Sequence, residues 1–137
     1  MKFWYKKFGN VLRPVIPIKV SSSKNSEGFG YEVLVDSGAD LCIFHAEIGE
    51  ALGIDVKKGK PQEVFGIGGK ASIFYLHKIT IVIGGWSHEI EAGFMPNVSG
   101  NVMQHGIVGQ NRFLFKRKTR QVVLRRPGGG LSVRLVL

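Results

Sequence analysis

Tyr31-Glu32-Val33-Leu34-Val35-Asp36-Ser37-Gly38-Ala39-Asp40 is a β-branched, largely apolar run that ends in a carboxylate, a hydroxyl and a glycine. Val33, Leu34 and Val35 favour a pleated, buried strand. Gly38 permits a sharp turn and a close approach of backbone to whatever binds there. Asp36 therefore sits where a core strand breaks open. Such an Asp either caps its own turn or is a carboxylate held for chemistry, and this stretch alone leaves both readings open.

Upstream, Val11 to Val20 alternates apolar and other residues, with Pro14 and Pro17 inside. That pattern predicts a strand at a sheet edge or a chain interface, where a missing N–H is tolerated. Residues 1–10 mix aromatics and lysines without a clear period and read as a tail or an edge segment. Ser21 to Gly28 is a polar turn. Downstream, Leu41 to Phe44 is a second short apolar run. His45 to Leu52 has helical spacing, with Ile48, Ala51 and Leu52 on one face and Glu47 and Glu50 on the other. Gly53 stops that helix.

Asp55 to Pro61 reads as a charged loop. Gln62 to Phe65 and Ala71 to Leu76 read as strands flanking Gly66-Ile67-Gly68-Gly69-Lys70, a glycine-rich hairpin tip. Ile79 to Ile83 and Trp86 to Phe94, joined at Gly84-Gly85, form another hairpin. Met95 to Gly106 is polar and irregular, Ile107-Val108-Gly109 a brief buried strand, and Gln110 to Phe115 a helical turn. Thr119 to Leu124 and Leu131 to Leu137, joined by Pro127-Gly128-Gly129-Gly130, make a terminal hairpin. In it Leu131, Val133, Leu135 and Leu137 alternate as a dimer-interface strand should. The whole predicts one all-β domain over residues 1–137 with one or two short helices.

The totals agree. A chain of 137 residues with 44% hydrophobic content and 19 glycines suits a compact, turn-rich β protein. Cys42 is the single cysteine, which excludes an internal disulfide framework and fits a reducing cytoplasm. No run approaches the roughly 20 apolar residues of a membrane span, and the start lacks the apolar core of a signal peptide. Asn97-Val98-Ser99 is a glycosylation sequon that matters only in a secretory compartment. The net charge of +9 is terminal: residues 1–35 hold +4, residues 36–111 hold −3, and residues 112–137, with eight Lys or Arg and no acid, hold +8. Only Phe113 and Phe115 lie among those last charges, so a solvated basic face is favoured over a nucleic-acid platform.

Several chemistries fall away. The spacing from Gly66 to Lys70 fails the phosphate-loop pattern, and a mobile hairpin tip that covers a site is the better reading. His45, His77, His88 and His105 have no metal-ligand spacing, and no cofactor motif is present. Cys42 lies inside an apolar run, where an inert buried thiol is the ordinary outcome. Ser37 has no nucleophile elbow around it. Asp36 remains. One carboxylate is poorly equipped to activate water against an amide, but two in contact share a proton and can do so. The chain has no second Asp-Ser/Thr-Gly, so the mate of Asp36 would come from a second copy across a twofold axis.

At this point the sequence resembles the retropepsin-like aspartic proteases. Leu34-Val35-Asp36-Ser37-Gly38-Ala39-Asp40 resembles the catalytic signature, Phe65-Gly66-Ile67-Gly68-Gly69 the glycine-tipped flap, and Ile107-Val108-Gly109 with Gln110-Asn111-Arg112-Phe113-Leu114 the apolar-apolar-Gly strand and short helix behind the site. The order is the family's, and the match runs from about Val11 to Leu124. The helix Ala46 to Leu52 and the Phe113-to-Leu124 pattern look like cellular, prokaryotic-type members. The resemblance implies a closed, barrel-like acid-protease fold and a homodimer cleaving peptide or protein substrates without metal or other cofactor. Asp36 would be the catalytic carboxylate, Ser37 would brace the paired loops, and the Gly38 N–H would hold the carboxylate in plane. Ala39 and Asp40 would contact substrate backbone, Phe65, Gly66, Ile67, Gly68 and Gly69 would fold over it, and Ile107 and Val108 would pack beneath or beside its pockets. Retroviral members often carry Arg after the closing glycine, paired with the acid equivalent to Asp40; here that place is Gln110, with Arg112 two residues on. The competing expectation is a dimeric peptide-binding or adaptor module that uses the same cleft without cutting.

Overall fold

The computed structural model describes residues 3–36, 38–65, 69–96 and 105–109 in full, and residues 2, 113–116, 121–125 and 131–136 as backbone. Along the chain run β1 (Lys2–Trp4), β2 (Lys6–Phe8), β3 (Val11–Arg13), β4 (Val15–Ser21), β5 (Phe29–Val35) and β6 (Cys42–His45). Next come α1 (Ala46–Ala51), a 3₁₀ turn at Val56–Lys58, β7 (Lys60–Phe65), β8 (Ala71–Ile83), β9 (Trp86–Met95) and β10 (Gly106–Val108). The backbone of β11 (Phe113–Lys116), β12 (Gln121–Arg125) and β13 (Leu131–Val136) completes the order.

The principal sheet has the order β4-β5-β10-β6-β9-β8-β7, and a further pairing of β4 with β8 bends it into a closed ring from which β7 projects. This is the all-β, barrel-like architecture expected from the short apolar runs. Alternation explains what fills the ring. Val33 and Val35 of β5, Val108 of β10, Cys42 and Phe44 of β6, Ala92 and Phe94 of β9, and Ile79, Ile81 and Ile83 of β8 all turn into one buried cluster. Each large aliphatic removed from water there contributes about 1.5–3 kcal/mol. Leu34, Ile107 and Ile43 stand opposite one another across β5, β10 and β6 on the other face, and all three are only half-buried.

The prolines fall where a strand can bear them. Pro14 separates β3 from β4, and β8 pairs with β4 only at Lys19–Ser21, so Pro17 sits where β4 has β5 as its one ladder partner. Helix α1 ends as Gly53 requires. The Gly53 N–H donates to Glu50 O at 2.9 Å and the Ile54 N–H to Gly49 O at 2.9 Å, around Gly53 at φ +76°. The polar turn after β4 adds to this cap. Ser22 Oγ donates to Leu52 O at 2.6 Å while accepting the N–H groups of Lys24 and Asn25.

Of the two readings of residues 1–10 the edge segment holds: β1 pairs in parallel with β13 at the edge of its sheet, and β2 forms a hairpin with β3. Four other local expectations change. Ala71–Leu76 and Ile79–Ile83 are one strand, because His77 and Lys78 between them stay in register opposite Ala92 and Glu91. Their polarity reflects local partners, His77 Nε2 being 2.7 Å from Val56 O, and not a break in the ladder. Lys60 and Pro61, read as loop, already pair with Leu76 and Tyr75, which an edge strand allows. Phe113 to Phe115, read as helical, are strand β11 paired with β12, a tertiary pairing that overrides local propensity. On α1 the buried residue is Gly49, followed by Leu52 just beyond the helix, whereas Ala51 is exposed. Gln110 to Arg112, Asn97 to Ser99 and the turn Pro127–Gly130 lie outside the described residues.

In the terminal sheet the order is β1-β13-β12-β11. The expected terminal hairpin is therefore formed, and it gathers the start of the chain as well as its end.

Candidate active site

Asp36 leaves the C-terminal end of β5, the strand flanked by β4 on one side and β10 on the other. Both ladders run up to it. The Val35 N–H donates to Pro14 O at 2.9 Å, and the Asp36 N–H donates to Val108 O at 3.0 Å. Past that point the backbone turns, with the Ala39 N–H reaching Asp36 O at 3.3 Å. The Gly38 N–H donates to Asp36 Oδ1 at 2.8 Å. A carboxylate that accepts a backbone N–H is fixed in orientation by a charge-assisted bond. Asp36 is half-buried, with Gly38 and Asp40 exposed and Ala39 half-buried beside it.

Gly109 explains how the turn is backed. A Cβ on Gly109 would lie 2.4 Å from Leu41 O and 2.5 Å from Ala39 O. The backbone of residues 39–41 thus lies directly on the residue that follows β10, and only glycine leaves room for it. The motif around Asp36 and the motif around Gly109, far apart in sequence, are two halves of one packed unit.

Tyr31, on the same strand, links β5 to β10 through a hydrogen bond with the Gly106 backbone, and its ring meets that of Phe44 edge-on at 5.7 Å. Burial pushes the Tyr31 hydroxyl pKa up, and the Gly106 bond offsets part of that rise.

The other expected site residues divide. Ile107 and Val108 are neighbours on one strand and so face opposite ways: Ile107 lies half-buried in the row with Leu34 and Ile43, while Val108 is wholly within the core. Phe65 ends β7 opposite Ala71 and is 72% exposed; Gly69 has φ +77°. Ser37, Gly66, Ile67 and Gly68 lie outside the described residues. Among the described residues no group of three or more His, Cys, Asp or Glu side chains is placed to hold a metal.

Sequence reading missed the backbone acceptors Pro14 O and Val108 O, which no side-chain pattern encodes. It also missed the hairpin of β2 and β3, whose three-residue strands are too short to show a period.

A closed all-β ring with Asp36 and Gly38 at the end of a central strand, backed by the glycine that follows a distant strand, defines the acid-protease class. Comparison with known proteins agrees. The family model described as aspartyl protease matches residues 24–111, and the chain belongs to that family. The fold is shared with EIAV protease, solved in complex with the inhibitor HBY-793, at 16% identity and a TM-score of 0.53 over 77% of this chain and 89% of that one. The retroviral protease-like domain of Ddi1 from Leishmania major aligns at 14% identity and a TM-score of 0.56, over 89% of this chain and 95% of that one. A retropepsin-like aspartic protease from Rickettsia conorii aligns at 15% identity and a TM-score of 0.50, over 75% and 86%. No curated protein matches the chain by sequence. The fold is therefore retropepsin-like, and no helix among the described residues is long and apolar enough to cross a membrane.

Proposed function

We propose that this protein is an aspartic endopeptidase, active as a homodimer in which each copy contributes one Asp36. The observation that carries the reading is the Asp36 carboxylate itself, held by the Gly38 N–H at the open end of a strand laddered on both sides. A residue that merely capped its turn would need neither the two ladders beneath it nor the glycine backing from Gly109. Membership of the aspartyl protease family and the shared fold support the same conclusion.

In this mechanism two Asp36 carboxylates meet near the twofold axis and hold one proton between them, because both cannot be ionised in contact. A water lies between them. The ionised carboxylate takes a proton from that water, and the resulting hydroxyl adds to the carbonyl carbon of the scissile amide. The protonated partner gives its proton to the carbonyl oxygen. Collapse of the tetrahedral diol passes a proton to the amide nitrogen, breaks the C–N bond and restores the shared proton. Ser37 braces the paired turns. Ala39 and Asp40 contact substrate backbone. Ile107 and Leu34 form an aliphatic floor with Val108 beneath it. The hairpin of β7 and β8, tipped by Gly66 to Gly69, closes over an extended peptide in the manner of strand addition. The terminal hairpin of β12 and β13 belongs to the dimer interface, and the single cysteine suits a reducing cytoplasm.

The test is a diverse peptide pool incubated across pH 4 to 7 and read by mass spectrometry, with wild type beside Asp36→Asn. Discrete cuts made by wild type alone support the proposal. Cuts that persist in the variant overturn it, and a folded wild-type dimer that binds peptides without cutting them returns the chain to the binding-module reading.

A further inference from the structure

Residues 1–13 lie ahead of the segment that the family model matches, and the hairpin of β2 and β3 has no part in the mechanism above. Among the described residues it meets Glu32 of the principal sheet and His105 just ahead of β10. Lys6 Nζ pairs with the Glu32 carboxylate on β5. The ring of Phe8 meets the ring of His105 edge-on, with centroids 5.3 Å apart and planes inclined at 65°.

The two anchors are close together, Glu32 within β5 and His105 immediately ahead of β10. Gly106 stands opposite Val33 in the parallel ladder of β10 and β5, and His105 and Glu32 each precede that pair by one residue. Alternation sets Glu32 on the same face as Leu34 and Ile107, away from the core side chains Val33 and Val108, and His105 meets the Phe8 ring from just ahead of β10. The hairpin therefore rests on the half-buried face, one side-chain row, or about 7 Å, from the Leu34–Ile107–Ile43 floor. It lies on the side of that floor away from Asp36. Of the two anchors, Lys6 and Glu32 are 43% and 47% exposed, so their ion pair does little to fix position. The aromatic edge contact, about 0.5–1.5 kcal/mol beyond its buried area, is the firmer one.

We propose that this hairpin closes one end of the substrate groove, and that Phe8 sets the size of the peptide side chain admitted over Leu34 and Ile107. The inference rests on the protease reading. An extended peptide passing Asp36 lays alternate side chains on the aliphatic floor. A side chain entering from the Asp36 end crosses that single row and meets the Phe8 ring, so its length is read there. Lys6 and the exposed edge of β3 lie outside this contact.

The experiment is competitive cleavage of the peptide pool by wild type, Phe8→Ala, Phe8→Leu and Phe8→Trp, with melting temperatures measured alongside. Shortening Phe8 is expected to raise kcat/KM for peptides with Phe, Tyr or Trp at one subsite by about tenfold relative to those with Ala or Val there. Phe8→Trp moves the same ratio the other way, and Phe8→Leu gives an intermediate value if Phe8→Ala does not fold. Unchanged ratios in folded variants that still cut overturn the inference and leave the protease reading standing. A wild type that cuts nothing removes both.

Discussion

The Asp36 turn and the hairpin of β7 and β8 both carry glycine-rich sequence, yet the protein builds them in opposite ways. The turn is held by several contacts: ladders to β4 and β10, the Gly38 N–H on the carboxylate, and Gly109 pressed against residues 39–41. The hairpin has one free edge in β7, and it exposes Phe65 at 72% and Ile73 at 46%. In the turn, packing dictates the residues. In the hairpin, the exposed apolar side chains have no packing partner among the described residues that would dictate them. Substitutions in the turn should therefore change fold or chemistry outright, whereas substitutions in the hairpin should change binding alone.

The largest effect tests the carboxylate. Asp36→Asn keeps the size and the Gly38 contact of the side chain but removes the ionisable group, so turnover should fall by about 10³-fold or more. Tm and dimer content should hold, as thermal melts and light scattering would reveal. Next is Gly109→Ala, where the new methyl has to displace backbone oxygens lying 2.4 Å and 2.5 Å away. A loss of about 3 kcal/mol is expected, seen as a Tm roughly 10 °C lower. An unchanged melt would mean that the turn is not backed as described.

Phe65→Ser should do the reverse. An exposed side chain leaves Tm within about 2 °C, while KM for peptides rises about three- to tenfold. If Tm falls and KM does not, the hairpin is structural and the contrast fails. The smallest effect is at high pH. Burial raises the Tyr31 pKa, so the folded state holds that proton more tightly than the unfolded chain does. Its contribution is complete below the unfolded value near pH 10 and is lost as pH rises through the folded one. A melt series from pH 8 to 11 should steepen downward above pH 10, and Tyr31→Phe should remove that extra slope.

The same contrast governs what could be read from sequence. Val33 to Val35 as a buried strand, Gly53 as a helix stop and the Gly84-Gly85 hairpin were legible because alternation, positive-φ turns and short-range pairing write themselves locally. Asp36, Gly38 and Gly109 were legible as a spaced set of motifs. Their actual connection, the Asp36 N–H on Val108 O and the bare Gly109 against Leu41 O, uses backbone atoms that every residue carries, so no side chain announces it. Phe113 to Phe115 misled for the opposite reason: a compact apolar cluster fits one helical turn as well as a strand, and pairing with β12 decides between them. Lys6 and Phe8 carried no signal, since their partners Glu32 and His105 are fixed by the register of β5 with β10.

The position of β10 between β5 and β6 has a consequence for how the molecule comes into being. On a ribosome, Asp36 emerges early, while the carbonyl that receives its N–H is supplied only after both central hairpins have been made. Closing so long a loop is slow compared with zipping β8 onto β9. Pulse-labelled hydrogen exchange during refolding should accordingly find the β8–β9 amides protected well before that of Asp36. A chain arrested ahead of Gly106 would keep the Gly38 N–H on the Asp36 carboxylate but lack the Val108 carbonyl that receives the Asp36 N–H, so the turn would be laddered on the β4 side alone.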